Sequence, residues 1–111
     1  MVGGSRAHPG QTAVVVAFVV RPLAEADIDE AFTWYESRSV SLGVEFLRAV
    51  DVAFDAIAAT PLGFPVVYRR VRRRLLRRFP YAVFYIFEDD RLEVLACTHT
   101  RRHARHWRRR V

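Results

Sequence analysis

The spacing of apolar residues predicts two helices in the first half of the chain. Between Pro22 and Arg38 they recur at steps of three and four, which is the spacing of one helix face. A second stripe follows a break at Ser39 to Gly43, where Ser41 is a candidate N-cap, and it ends at Thr60. The two stripes are Ala24, Ile28, Ala31, Phe32 and Tyr35, and then Phe46, Leu47, Val50, Phe54 and Ile57. Two helices joined by so short a loop form an antiparallel hairpin.

Acidic residues of the first predicted helix are expected away from its apolar stripe. Asp27, Glu30 and Glu36 occupy these positions. Pro22 suits the first turn of the helix, because its missing N–H would have no partner there.

Runs of β-branched and aromatic residues predict strands on both sides of the helical hairpin. The predicted strands are Ala13 to Arg21 before the hairpin, and Arg72 to Phe79, Tyr81 to Phe87 and Arg91 to Thr98 after it, with Val66 to Arg69 as a further short strand candidate. Glu88-Asp89-Asp90 forms the last turn. Residues 81–87 are apolar on both faces, and a strand of that kind lies inside a sheet.

The predicted order is β-α-α-β-β-β, which favours one α+β domain. The last three strands follow one another closely, so we expect them to be antiparallel. The helical hairpin must cover one face of this small antiparallel sheet, because its apolar stripes need burial. The domain spans residues 13–111. Residues 1–12 contain three Gly residues and one Pro, and are typical of a flexible tail.

The chain has 111 residues, a length that fits a single domain. Its longest apolar run, Ala13 to Val20, is far shorter than the ~20 residues of a membrane-spanning helix. We therefore expect a cytoplasmic protein with no membrane partner. Cys97 is the only cysteine, which excludes an intrachain disulfide. GxGxxG, P-loop and GxSxG motifs do not occur, and no cofactor is expected.

The charge is distributed unevenly along the chain. All 18 basic residues other than His are Arg, and the net charge is +6. Residues 1–55 contain four Arg and eight acidic residues, a net charge of −4, whereas residues 56–111 contain fourteen Arg and four acidic residues, a net charge of +10. This asymmetry predicts a basic surface for a polyanion or an acidic partner.

The densest basic segment runs from Arg69 to Arg78, where seven of ten residues are Arg. If the strand continues to Phe79, Arg72, Arg74 and Arg78 share one face, and Arg73 and Arg77 share the other. Two interpretations stay open. The arginines form either a solvated edge strand protected from aggregation or a surface that binds phosphate or carboxylate groups.

The segment His99 to Arg110 is a second basic cluster, with His and Trp residues among its arginines. Trp107 either stacks on nucleic-acid bases or packs on the domain. The three histidines of this segment invite a metal interpretation. However, no Cys or carboxylate is close in sequence and the flanking arginines would repel a cation, so no metal site is expected.

Two motifs together resemble the RelE/ParE superfamily of toxins from bacterial type II toxin–antitoxin systems. These are RRFPYAVFY at Arg77 to Tyr85 and H-x-R-R-x4-W-x2-R at His99 to Arg110. WYE at Trp34 to Glu36 and GVEF at Gly43 to Phe46 add weaker support. The resemblance covers roughly residues 14–110. It implies a helical hairpin on a small antiparallel sheet, which agrees with the predicted order of elements.

The RelE branch of this superfamily cuts mRNA in the ribosome, and the resemblance implies five positions for that chemistry. Arg73 and Arg101 match two of them, whereas Leu75, Ala82 and Trp107 occupy the other three. Arg stays protonated and is a poor general base. His99 can take up a proton near neutral pH and is the candidate base if the chain is a nuclease. The nuclease set would then be Arg73, His99 and Arg101.

The ParE branch inhibits DNA gyrase without known chemistry, and the unmatched nuclease positions favour this branch. The resemblance implies growth inhibition, plasmid stabilisation, and neutralisation by a ParD-like antitoxin in a hetero-oligomer. We expect an acidic, amphipathic antitoxin segment with carboxylates near Arg73, Arg77 and Arg78. Gyrase or the ribosome is the expected target. The candidate binding residues for target or antitoxin are Arg73, Arg77, Arg78, Arg101, Arg102, Trp107 and Arg110.

Overall fold

A computed structural model describes residues 13–111, so the predicted tail at 1–12 lies outside the described residues. The elements are β1 (Ala17–Val20), α1 (Pro22–Arg38), α2 (Leu42–Ala59), β2 (Val66–Tyr68), β3 (Val71–Leu75), β4 (Tyr81–Glu88), β5 (Arg91–His99) and the short α3 (Arg105–Arg108). The helical hairpin and the three strands β3, β4 and β5 match the predicted order, β2 forms at the short strand candidate, and the sequence did not predict α3. No helix within residues 13–111 is long and apolar enough to cross a lipid bilayer.

The five strands form one sheet in the order β1-β5-β4-β3-β2. β4 lies between β3 and β5, which confirms the internal position predicted for residues 81–87. The pairs β2–β3, β3–β4 and β4–β5 are antiparallel. The antiparallel pairing expected for the last three strands is thus confirmed, and β1 adds a parallel pairing with β5 that makes the whole sheet mixed. A parallel pair needs a long crossover, and the helical hairpin supplies part of it.

The main core lies between the helical hairpin and one face of the sheet, called here the helix face. Tyr35 of α1 stacks on Phe46 of α2, with 5.3 Å between ring centroids. Phe79 and Tyr81 meet the same cluster edge-on. The hydroxyl of Tyr85 is buried and donates to the Pro61 carbonyl at 2.7 Å. Burial raises the pKa of Tyr85 to about 12, so this tyrosine stays protonated and anchors the segment after α2.

The start of α2 is capped by a side chain from α1. The expected N-cap, Ser41, has a left-handed backbone (φ 73°) and its side chain makes no capping bond. The Glu36 carboxylate accepts hydrogen bonds from the backbone N–H groups of Ser41 and Gly43, at 3.0 and 2.9 Å. A Cβ atom on Gly43 would come within 2.8 Å of Phe32, so glycine permits the close approach of the two helices.

β3 ends at Leu75, earlier than the sequence indicated. Arg77 and Arg78 therefore lie in the turn before β4, and their predicted places on strand faces are wrong. The backbone of Arg78 is left-handed (φ 66°), which no continuing strand would allow. Within β3 the side chains alternate between the two faces of the sheet, as predicted. Arg72 and Arg74 pair with residues of the helix face, and Arg73 pairs with Phe84 on the opposite face.

The C-terminal segment covers the opposite face of the sheet, called here the tail face. Trp107 stacks on Phe84 with 4.1 Å between ring centroids and an angle of 18° between the rings. A β-bulge in the β4–β5 pairing, after Ala96↔Phe84, brings Leu95 and Ala96 into the same second core. Of the two interpretations of Trp107, the structure supports packing on the domain, because the ring is buried against Phe84.

Replacing Phe84 by Ala should destabilise the protein by about 3–5 kcal/mol, because Phe84 is 6% exposed and supports Trp107. Urea unfolding followed by circular dichroism measures this loss. Val66→Ala is the control, since Val66 lies on edge strand β2 and is 52% exposed. A loss of less than ~1 kcal/mol for Phe84→Ala would contradict the second core.

Candidate partner-binding surfaces

The C-terminal segment is fixed to α1 by a buried ion pair between Asp27 and Arg110. The two guanidinium NH groups of Arg110 donate to the two carboxylate oxygens of Asp27 at 2.6 and 3.2 Å. Both side chains are 12% exposed. Such a two-point pair fixes orientation as well as distance. Arg110 is therefore enclosed by its own chain. The sequence predicted a binding role for this residue, whereas its contacts in the structure are structural.

The same pair satisfies backbone groups of β5 at the bulge. Arg110 also donates to the Leu95 carbonyl at 3.1 Å. The Asp27 carboxylate accepts from the backbone N–H of Cys97 at 3.0 Å. Burial and the nearby Asp27 raise the pKa of Cys97 to about 12, so its thiol is inert at neutral pH.

The sequence pattern places Asp27 off the apolar stripe of α1 and does not indicate this ion pair. The available signal was its spacing. Asp27 lies three residues after Ala24 and four before Ala31, and both alanines are buried. A carboxylate placed between two buried small residues on one helix face indicates a buried ion pair.

Arg73 lies at a small cavity on the tail face, which we name the tail-face pocket. Its volume is about 240 Å³. Arg102 and Arg108 lie around the same cavity, and Ala82, Phe84 and Trp107 form part of its lining. Trp107 is 5% exposed, so it supports the pocket from beneath and offers little surface to a partner.

Arg77 and Arg78 belong to a different surface, named here the α2 cleft. Its volume is about 360 Å³, and it lies between α2 and the β3–β4 turn. Its lining consists of Arg48, Arg74, Arg77 and Arg78, the acidic Glu45, and the apolar Ala49, Val52 and Phe79. Glu45 pairs with Arg78 at 2.5 Å. The sequence search missed Arg48 because it stands alone in α2, far from either arginine cluster.

The three arginines expected to meet one antitoxin segment therefore do not lie together. Arg73 projects from the tail face, whereas Arg77 and Arg78 line the α2 cleft. The early end of β3 is the physical reason, because it moves the last two residues off the strand and towards the helices.

A cavity of about 920 Å³ lies between α1 and the C-terminal segment. Arg101 and His99 line it together with Glu30 and the half-exposed Trp34. His99 accepts a hydrogen bond at Nδ1 from the backbone N–H of Arg101 at 3.1 Å. Its ring packs edge-on against Tyr81, 5.3 Å between centroids, on the helix face. Neutral His99 thus carries its proton on Nε2.

Of the candidate nuclease residues, Arg73 and His99 both line the tail-face pocket, whereas Arg101 lines the cavity beside α1. Arg73 belongs to the tail face, and the His99 ring packs on the helix face. Leu75 is 47% exposed, and Ala82 is buried. Burial and neighbouring arginines lower the pKa of His106, which also contacts Arg102 at 3.1 Å. Within residues 13–111, no three His, Cys, Asp or Glu side chains group closely enough to hold a metal ion.

The fold resembles those of two solved toxin–antitoxin assemblies. One match is to the chromosomal ParDE toxin–antitoxin system of P. aeruginosa, with a TM-score of 0.57 and 19% identity over 77% of this chain and 96% of that chain. Another is to the RelBE2 toxin–antitoxin complex of Mycobacterium tuberculosis, with a TM-score of 0.54 and 17% identity over 80% of this chain and 95% of that chain. Among curated proteins, no sequence matches this chain.

These likenesses concern the fold alone. The family model described as the ParE toxin of the type II toxin–antitoxin system parDE matches residues 18–104. The chain therefore belongs to the ParE toxin family of type II toxin–antitoxin systems.

Breaking the Asp27–Arg110 pair from one side should cost about 3–5 kcal/mol, because it leaves a buried charge without its partner. Asp27→Leu and Arg110→Met each remove one charge, and the double variant removes both. We expect the double variant to be more stable than either single variant in urea unfolding.

The double-variant comparison separates charge pairing from packing. Destabilisations that simply add would show that the two side chains stabilise the protein independently. The surface pair Arg70–Glu88, at 2.9 Å and about half exposed, is the matched control. Its removal should have little effect on stability.

Proposed function

We propose that this chain inhibits growth by binding DNA gyrase or another macromolecular target, without cleaving RNA, and that a cognate antitoxin neutralises it. The ParE family match is the observation that carries the proposal. The net charge of +10 in residues 56–111 supports an acidic partner or a polyanion as the ligand.

The arrangement of side chains supports a mode of action without RNA cleavage. Cleavage needs a base for the 2′-OH and donors for the charge that develops on the phosphate. Ala82 cannot donate, and Trp107 is buried and has no hydroxyl. His99 and Arg73 both line the tail-face pocket, but the His99 ring packs edge-on against Tyr81 on the helix face and its Nδ1 accepts from the backbone N–H of Arg101.

The α2 cleft supports the antitoxin part of the proposal. Its apolar lining of Ala49, Val52 and Phe79 lies beside four arginines and only one acidic residue. Val52 is 51% exposed and available for contact. An acidic, amphipathic segment fits this surface, with apolar side chains on the floor and carboxylates against the arginines. This cleft replaces the combined site at Arg73, Arg77 and Arg78 that the sequence indicated.

Inducible expression of the chain should cause DNA-damage signalling before any change in mRNA integrity. Purified chain should inhibit supercoiling by gyrase in vitro and should leave mRNA on translating ribosomes intact. Both assays use the same preparation. Gyrase inhibition by that preparation shows that the chain is active, so that intact mRNA in the second assay can be interpreted.

RNA cleavage would contradict this mode of action. Codon-specific cleavage that disappears in His99→Ala would identify the chain as a ribosome-dependent endoribonuclease that uses Arg73, His99 and Arg101. Cleavage that persists in His99→Ala would contradict both mechanisms.

Titration with the antitoxin, expected from the adjacent gene, should depend on the α2 cleft. Arg48→Ala/Arg77→Ala should weaken binding by at least about tenfold at low salt, because it removes two of four arginines from the carboxylate side. The salt dependence of the association rate should fall as well. Fluorescence anisotropy of labelled antitoxin measures both quantities.

Arg73→Ala/Arg108→Ala is the matched control, because it removes the same charge from the tail face. We expect near-wild-type antitoxin affinity for this variant. Equal losses in both double variants would mean that overall charge, and not the α2 cleft, holds the antitoxin.

A further inference from the structure

Two arginines on the helix face of β3 differ in whether the chain satisfies their hydrogen bonds. The guanidinium of Arg72 donates to the carbonyls of Leu62 and Phe64 at 3.2 and 2.7 Å. Within residues 13–111 the side chain of Arg74 makes one hydrogen bond, from Nη1 to the carbonyl of the adjoining Leu75. Its Nε atom is buried and has no hydrogen-bond partner in that part of the chain. A buried donor without an acceptor is destabilising, so Arg74 is suited to a partner that the chain does not supply.

Arg74 lines the α2 cleft and differs there from the other three arginines. Arg48 and Arg77 are exposed, and Arg78 is exposed and already in an ion pair. Water solvates exposed guanidinium groups well, so pairing with them contributes little to binding beyond the long-range attraction of an acidic partner. Arg74 is partly buried. A carboxylate that reaches it therefore replaces a missing hydrogen bond, whereas at the exposed arginines it replaces water.

The edge of the Arg74 guanidinium that carries Nε and Nη2 suits a carboxylate. Nη1 is engaged by the Leu75 carbonyl, which leaves this edge for a ligand. Two parallel N–H groups match the two oxygens of a carboxylate and fix its orientation. The guanidinium carbon lies over the Phe64 ring, 5.5 Å from its centre, so one side of the group is apolar. Glu45, the one carboxylate in the lining of the cleft, is held by Arg78.

We propose that Arg74 is the anchor of the α2 cleft and binds one carboxylate of the antitoxin side-on, through Nε and Nη2. This inference rests on the proposed function, which assigns an acidic, amphipathic segment to the cleft. The occupant is an aspartate or glutamate flanked by apolar residues, since Val52 and Phe79 line the same cleft. Arg48 and Arg77 attract the segment from the exposed side. Loss of an exposed charge mainly slows association, whereas loss of a buried pair mainly speeds dissociation.

Arg74→Lys tests the anchor, because it keeps the positive charge and removes the two-point geometry. Stopped-flow fluorescence anisotropy measures association and dissociation of the purified full-length chain and the fluorescein-labelled antitoxin encoded by the adjacent gene. We expect the variant to dissociate at least about tenfold faster than the wild type. Its association rate and the salt dependence of that rate should stay near those of the wild type, because the charge is unchanged.

Arg77→Lys is the matched control, since it makes the same exchange at an exposed arginine of the same cleft. Both of its rates should stay near those of the wild type. Unchanged dissociation of Arg74→Lys would overturn the proposal, because charge alone would then be sufficient at that position. Equal acceleration in the two variants would also overturn it, because the arginines of the cleft would then share the role.

Unfolding of the free chain provides a second measurement that does not involve the antitoxin. Arg74→Met should leave the midpoint of urea unfolding unchanged or raise it, because it removes a buried donor that has no acceptor. Arg72→Met is the matched variant and should lower the midpoint, because Arg72 bonds two carbonyls of its own chain. An equally low midpoint for Arg74→Met would give Arg74 a structural role and overturn the proposal.

The experiments separate failure of this inference from failure of the proposed function. Wild-type antitoxin affinity of Arg48→Ala/Arg77→Ala would mean that the antitoxin does not use the α2 cleft, and would overturn both. Weaker binding of that double variant, together with wild-type dissociation of Arg74→Lys, would leave the antitoxin site in the cleft and overturn the anchor alone.

Discussion

The buried ion pair between Asp27 and Arg110 determines where the C-terminal segment lies, and the basic tail face depends on that segment. Without the pair, the carboxylate, the guanidinium, the Leu95 carbonyl and the Cys97 N–H would each lose a partner in a water-poor environment. The pair holds the C-terminal segment across β5 and thereby supports the stacking of Trp107 on the sheet. A charged interaction thus fixes the position of an apolar one.

The sheet separates two basic surfaces that look continuous in the sequence. The α2 cleft combines arginines with an apolar floor and one carboxylate. The tail-face pocket combines arginines with threonines and a rigid aromatic floor. These compositions differ, and the apolar floor of the α2 cleft favours an amphipathic peptide. Alternation along β3 produces the separation, because neighbouring arginines point to opposite faces.

The spacing of apolar residues was sufficient to predict the helical hairpin and the internal strand, because an element buried on one or two faces has apolar residues at the positions of those faces. It could not predict the parallel pairing of β1 with β5, since the period of an edge strand does not depend on its partner's direction. Nor did it identify the cap from Glu36 or the pairing of Asp27 with Arg110. Those contacts depend on three-dimensional proximity. The positions of Arg77 and Arg78 could not be predicted because the turn before β4 contains no Gly. Arg78 adopts the left-handed backbone conformation there, which a glycine would have indicated in the sequence.

The distance in sequence between Asp27 and Arg110, 83 residues, has a consequence for synthesis on the ribosome. The helical hairpin can form early during translation, whereas β1 must wait for β5 and the C-terminal segment must wait for Arg110. The nascent chain therefore displays an incomplete sheet until that arginine has emerged, at translation rates of about 5–20 residues per second. The tail face is therefore the last part of the domain to form, after the helical hairpin.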